Sequence, residues 1–220
     1  MEYAPRVGHT PNYIADDYLG RYFEFYAAQN SNAGNSEFRF LGTYVYYRIY
    51  SSSSTMISNH NSIEAVNNSS NYSAAAERMI GLGYRELNTD KGILSPFAAG
   101  TRVHIRLTNY KEKDSGEIGN KAQIEVDGID IGIPRRSRGQ SYSFDFGRKK
   151  DPAKYPESST VQYASPSSSD DDFSGSAPND NKYYVDMYAV AAGRDTTFRK
   201  YYSNVTYLGS ITIDASFPDN

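Results

Sequence analysis

The chain has 220 residues, a formal net charge of −3 and 38% hydrophobic residues, which suits one domain with a modest core and long polar connections. A sequence pI near 5.6 supplies no overall field for a phosphate backbone, so nucleic acid is excluded as the expected partner. The absence of Cys removes structural disulfides, thiol nucleophiles and thiolate metal sites together, and it fits a cytosolic protein and a disulfide-free envelope protein equally well.

From the amino terminus, residues 1–15 carry Pro5, Gly8 and Pro11 and read as an irregular leader. They contain no apolar signal core, and nowhere does an apolar run reach the 18 or so residues of a membrane span. The aromatic stretch Tyr18–Tyr26 reads as an early strand, and the polar residues 29–36 as a turn. Phe40–Tyr50 is the central strand, because aromatic and β-branched residues fill it. Val45, Tyr47 and Ile49 alternate there with Tyr44, Tyr46, Arg48 and Tyr50, as a strand with two differently solvated faces requires.

Residues 51–72 are rich in Ser and Asn and read as an exposed loop. Ser73–Gly81 predicts one short helix, with Ser73 as N-cap, three alanines as helix formers and Gly81 as the stop. Gly83–Leu87 then returns the chain toward the sheet. Thr101–Thr108 alternates Val103, Ile105 and Leu107 with polar residues, a half-buried strand. Asp127-Gly128 sits between two apolar segments and predicts a two-residue hairpin turn, and Pro134 ends its second strand.

Ser141–Phe146 alternates again, and a shorter strand is expected at 161–164. Residues 149–181, with four prolines, many serines and Asp170-Asp171-Asp172, read as an exposed loop. Tyr183–Ala191 and Val205–Ile213 form a carboxy-terminal hairpin broken at 193–197. Eight or nine strands and one helix predict an all-β antiparallel sandwich over residues 16–216, with a β-barrel as the alternative.

Two resemblances attach to these segments. Leu41–Tyr50, Tyr183–Ala191 and Ser203–Val205 resemble the third, sixth and seventh strands of a fibronectin type III domain, an immunoglobulin-like sandwich, here with long insertions and without the family's Trp. Phe40–Ser51, Leu82–Arg85 and Ser203–Ile211 resemble segments of uncharacterised spirochaete, particularly treponemal, envelope lipoproteins. The second resemblance implies export to the periplasm or outer surface and membrane attachment only through an acylated Cys that this sequence lacks. It carries over no active site.

Candidate residues are few. Among 21 Tyr and no Trp, the row Tyr44, Tyr46 and Tyr50 is the candidate contact surface for a protein partner or for a sugar ring. Arg135, Arg136 and Arg138 form a candidate cationic patch, with Arg148-Lys149-Lys150 beyond it. His9, His60 and His104 are too far apart in sequence to suggest a zinc site. Asp170-Asp171-Asp172 lacks the spacing of a calcium loop and reads as a solvated acidic run. With no catalytic, metal or cofactor motif, the expected function is a non-enzymatic binding or structural module of a bacterial envelope. Its expected partner is an envelope or host protein, with a carbohydrate-binding module as the alternative.

Overall fold

The computed structural model describes residues 4–11, 20–30, 37–68, 70–92, 94, 96–108, 110–111, 118–137, 146, 166–176 and 182–214. In chain order its elements are β1 (Arg6–His9), β2 (Phe23–Tyr26), β3 (Phe38–Tyr50), α1 (Ser53–Glu64), α2 (Ala74–Gly81), β4 (Arg85–Glu86), β5 (Asn88–Thr89), β6 (Arg102–Arg106), β7 (Tyr110–Lys111) and β8 (Ile118–Asn120). They continue with β9 (Gln123–Val126), β10 (Ile129–Gly132), β11 (Pro134–Arg135), β12 (Phe173–Ser174), β13 (Lys182–Asp195) and β14 (Lys200–Asp214). The strands expected at 141–146 and 161–164 lie almost wholly outside the described residues.

Two five-stranded sheets make an all-β sandwich. One runs β1-β2-β6-β9-β10; the other runs β12-β3-β13-β14, with β4 also on the free side of β3. Neither closes on itself, which removes the barrel. The alternation read in β3 works as expected on its inner side. Val45, Tyr47 and Ile49, with Val185, Met187 and Ala189 of β13, face Phe23, Phe25, Val103, Ile105 and Ile124 of the opposite sheet. β13 pairs antiparallel with both β3 and β14.

The other face of β3 departs from expectation. Instead of meeting water, Tyr46, Tyr50, Tyr188 and Val190 are roofed by Met56 and Ile63 of α1 and by Ala75, Ala76 and Met79 of α2. Among the described residues there are thus two helices, not one, and residues 51–72 are not an exposed loop. The run from Ser53 has weak intrinsic propensity. Its helix is fixed by docking two apolar side chains seven residues apart onto the sheet, and by Ser52, whose Oγ accepts the Thr55 N–H at 3.4 Å. The amino-terminal segment is likewise more than a leader, since Arg6–His9 pairs with β2.

Side chains cap the sheet edges at β14 and at β10. Asn67 donates to the Val205 carbonyl at 3.1 Å and accepts the Val205 N–H at 3.0 Å, imitating a neighbouring strand along β14, and Ser73 Oγ accepts the Tyr202 N–H at 3.0 Å. At β10, Asp130 takes the Gly132 N–H at 2.8 Å and Asp90 takes the Ile133 N–H at 2.7 Å. Carboxylates at an edge block strand addition. The β9–β10 turn is as expected: Asp127 and Gly128 have φ of 50° and 82°, the pair of positive angles that a tight hairpin needs.

Candidate functional site

The expected tyrosine row is not a surface. Tyr46 and Tyr50 are buried under the helices and only Tyr44 is half-exposed, because the face that alternation assigned to water carries the helical layer. Tyr46 donates to Glu86 Oε1 at 2.9 Å, and Tyr50 accepts from Asn59 Nδ2 at 3.1 Å. The expected cationic patch is also internal. Arg135 and Arg136 are buried, while Arg138 and residues 148–150 lie outside the described residues.

Arg136 finds the acidic run that sequence reading placed in water. Its Nε donates to Asp172 Oδ2 at 2.9 Å, and its Nη2 donates to Asp172 Oδ1 at 2.8 Å and to Asp170 Oδ2 at 2.9 Å. The parallel pairing of β12 with β3 carries this loop inward, with the Ile49 N–H donating to the Asp172 carbonyl at 2.9 Å. Tyr47 donates to Asp172 Oδ2 at 2.7 Å and accepts the Ser137 N–H at 2.5 Å. Burial works against the guanidinium charge, but the bonds from Asp172 and Asp170 outweigh it and hold Arg136 above its ordinary pKa. A bidentate, fully bonded guanidinium of this kind is a clamp between chain segments.

A second polar cluster lies under the helices. Asp186 is fully buried, and Tyr84 donates to its Oδ2 at 2.5 Å, while Oδ1 has no hydrogen-bond partner among the described residues. Around it the rings of Tyr84 and Tyr188 stand 5.5 Å apart and those of Tyr188 and Tyr207 5.0 Å apart, and His60 Nδ1 lies 2.6 Å from the Tyr188 hydroxyl. Arg48 is the cross-strand neighbour of Asp186 but forms no salt bridge with it; its Nη2 reaches the Phe173 carbonyl at 3.5 Å. Burial therefore pushes the Asp186 carboxyl up to about 7, with Tyr84 and Tyr207 pulling against that shift. The cluster can hold a proton near neutrality, but packed side chains enclose it.

On the opposite sheet the structure brings two of the three histidines together. Tyr22 is stacked between His9 and His104, at ring distances of 4.0 and 4.3 Å. His104 lies between Glu24 and Glu125 in the cross-strand row. Among the described residues no group of three His, Asp or Glu is placed to hold a metal ion.

The accessible feature is the end of the β13–β14 hairpin, which sequence reading treated only as a break. Asp195 builds its turn. The Asp195 carbonyl accepts the Phe198 N–H at 3.1 Å, and Oδ1 accepts the Thr197 and Arg199 N–H groups at 2.9 and 3.0 Å. Hydrogen bonding from Thr197 lowers the Asp195 pKa below the usual carboxylate value; burial opposes the shift, and bonds from Arg199 and Tyr201 add to it. The geometry leaves Phe198 at φ 66° and 74% exposed. A three-residue hairpin loop normally gives that left-handed position to Gly.

Behind the turn, Arg194 pairs in register with Arg39 on one side and Lys200 on the other. Three cations thus form one row across three strands, where like charges oppose each other directly. Among the described residues none of them, nor Arg199, has a salt-bridge partner. Three of these four heads lie over rings instead: Arg194 is 5.0 Å from the centre of Phe198, Arg199 5.2 Å from Tyr201, and Lys200 4.1 Å from Tyr44. The signal is spread over positions 39 and 194–200, so only the strand register assembles it. No protein-family model, curated protein or solved structure matches this chain.

Proposed function

We propose that this chain is a non-enzymatic binding module of a bacterial cell envelope, that its contact surface is the end of the β13–β14 hairpin, and that its partner carries negative charge there. One observation carries this reading: the row Arg39, Arg194 and Lys200, without a salt-bridge partner among the described residues, stands beside an exposed Phe198 in a backbone conformation that disfavours it. Like charges in cross-strand register oppose folding, and a left-handed Phe adds backbone strain. Both are features that a partner relieves or uses.

The envelope location is supported by the likeness of the aromatic strands to treponemal lipoproteins. The non-enzymatic reading is supported by the enclosure of Arg136 and Asp186 beneath packed side chains. The tyrosine-based protein contact and sugar platform lose their basis, since Tyr46 and Tyr50 are buried and the Tyr44 ring is covered by Lys200.

Chromatography on a sulfonated cation exchanger tests the surface without knowledge of the partner. At pH 7 and low ionic strength the wild-type protein is retained despite its net charge of −3, because a local field, not the total, governs adsorption. The Arg39→Gln/Arg194→Gln/Lys200→Gln variant passes through. Equal elution of the two proteins overturns the reading.

A further inference from the structure

Resting on that reading, we infer that the negatively charged partner is a lipid surface, and that the hairpin end docks on an anionic bilayer with Phe198 at its leading point. The turn residues 196–199 lie beyond the last pair that β13 makes with β3, Asp195 with Phe38, and Phe198 is exposed, so among the described residues the apex is convex. A protein hot spot seats an aromatic anchor in a matching pocket. A convex apolar point ringed by cations instead suits a soft surface, where the ring enters the boundary between headgroups and acyl chains and the cations stay among the phosphates.

The chemistry of the ring of cations agrees. Arg194, Arg199 and Lys200 lie over the faces of Phe198, Tyr201 and Tyr44, so those faces are not free to stack on sugars. The cationic heads have no carboxylate partner among the described residues, whereas phosphate oxygens offer several acceptors at once. The one carboxylate of the turn, Asp195, is bonded inward to Thr197, Arg199 and Tyr201. It leaves the outer side to the cations. No helix among the described residues is long and apolar enough to cross a membrane, and this docking requires none.

The chain contains no Trp, so Phe198→Trp places a single indole at the apex. This variant is mixed with vesicles of pure phosphatidylcholine and with vesicles containing equal parts phosphatidylcholine and phosphatidylglycerol. The expected result is an emission shift to shorter wavelength and quenching by brominated acyl chains with the mixed vesicles only, reversed by high salt. In sedimentation with the mixed vesicles, Arg194→Gln and Lys200→Gln each weaken partitioning of the otherwise wild-type protein by about fivefold, and Phe198→Ser weakens it by roughly tenfold. Thermal unfolding of these surface variants at or above the wild-type temperature separates the effect from misfolding. Equal binding to both vesicle types, or no blue shift with either, overturns the lipid inference. If the wild-type protein is nevertheless held by the cation exchanger, the anionic-partner reading stands and an acidic protein replaces the bilayer; if it is not held, both fail.

Discussion

Arg136 and Asp172 are locked side by side by two hydrogen bonds, at 2.9 and 2.8 Å, in a site from which both are excluded from water. Two charge runs that looked like separate surface features are thereby joined inside the molecule. Removing one member strands the other. Arg136→Met is expected to destabilise the fold by about 3–5 kcal/mol, and Asp172→Asn by a similar amount. The triple variant Arg136→Met/Asp170→Asn/Asp172→Asn recovers part of the loss, since no buried charge is left uncompensated. Urea titrations of the three proteins check this, and additive losses in the triple variant would refute it.

Asp186 makes stability fall with pH. Its folded pKa is about 7, above the ordinary carboxylate value, so between about pH 4 and 7 the folded protein keeps a proton that the unfolded chain releases. The contribution is whole below the unfolded value and is lost as pH rises through 7. Its ceiling is about 4 kcal/mol, from 1.36 kcal/mol per unit of pKa difference. Asp186→Asn, neutral at every pH and still an acceptor for Tyr84, is expected to flatten the decline. Urea midpoints from pH 4.5 to 8 for wild type and variant supply the measurement; parallel curves would show that Asp186 is not the titrating group.

The inner half of the fold was legible because β3 and β6 announce themselves by alternation, and the Asp127-Gly128 turn by residues that tolerate positive φ. Alternation says which residues share a face, however, not what covers that face. Tyr46 and Tyr50 were therefore assigned to water, while Met56 and Ile63, embedded among serines and asparagines, gave no amphipathic pattern strong enough to announce the helix that buries them. The hairpin end was illegible for a different reason. Arg39 meets Arg194 only through a register that includes a bulge between Ala192 and Gly193, and no local pattern encodes such a shift.

Asn67 stands in for a missing strand. Because its amide both gives to and takes from the Val205 backbone, Asn67→Ala leaves a paired N–H and C=O open on the side of a 15-residue strand. The expected cost is about 1–2 kcal/mol of stability. The exposed edge also becomes a template for another copy. Analytical ultracentrifugation over a range of concentrations is expected to show self-association of the variant beyond that of wild type. An unchanged distribution would assign edge protection to the neighbouring Ser73, which accepts the Tyr202 N–H, instead.

Phe198 sets stability against binding at a single position. At φ 66° a residue with a Cβ sits in the left-handed region at a cost of roughly 1–2 kcal/mol, which Gly escapes. Part of that gain is offset by the larger freedom of Gly in the unfolded chain. Phe198→Gly is therefore expected to raise stability by about 0.5–1 kcal/mol while weakening sedimentation with phosphatidylglycerol vesicles, because the turn keeps its Asp195 bonds and loses only the projecting ring. Phe198→Asn, another residue tolerant of this conformation, is expected to do the same. A side chain held there only by packing would yield the opposite result, lower stability with unchanged vesicle binding. Thermal unfolding and vesicle sedimentation of the same two variants thus separate a ring that the fold needs from one that the fold tolerates for its partner.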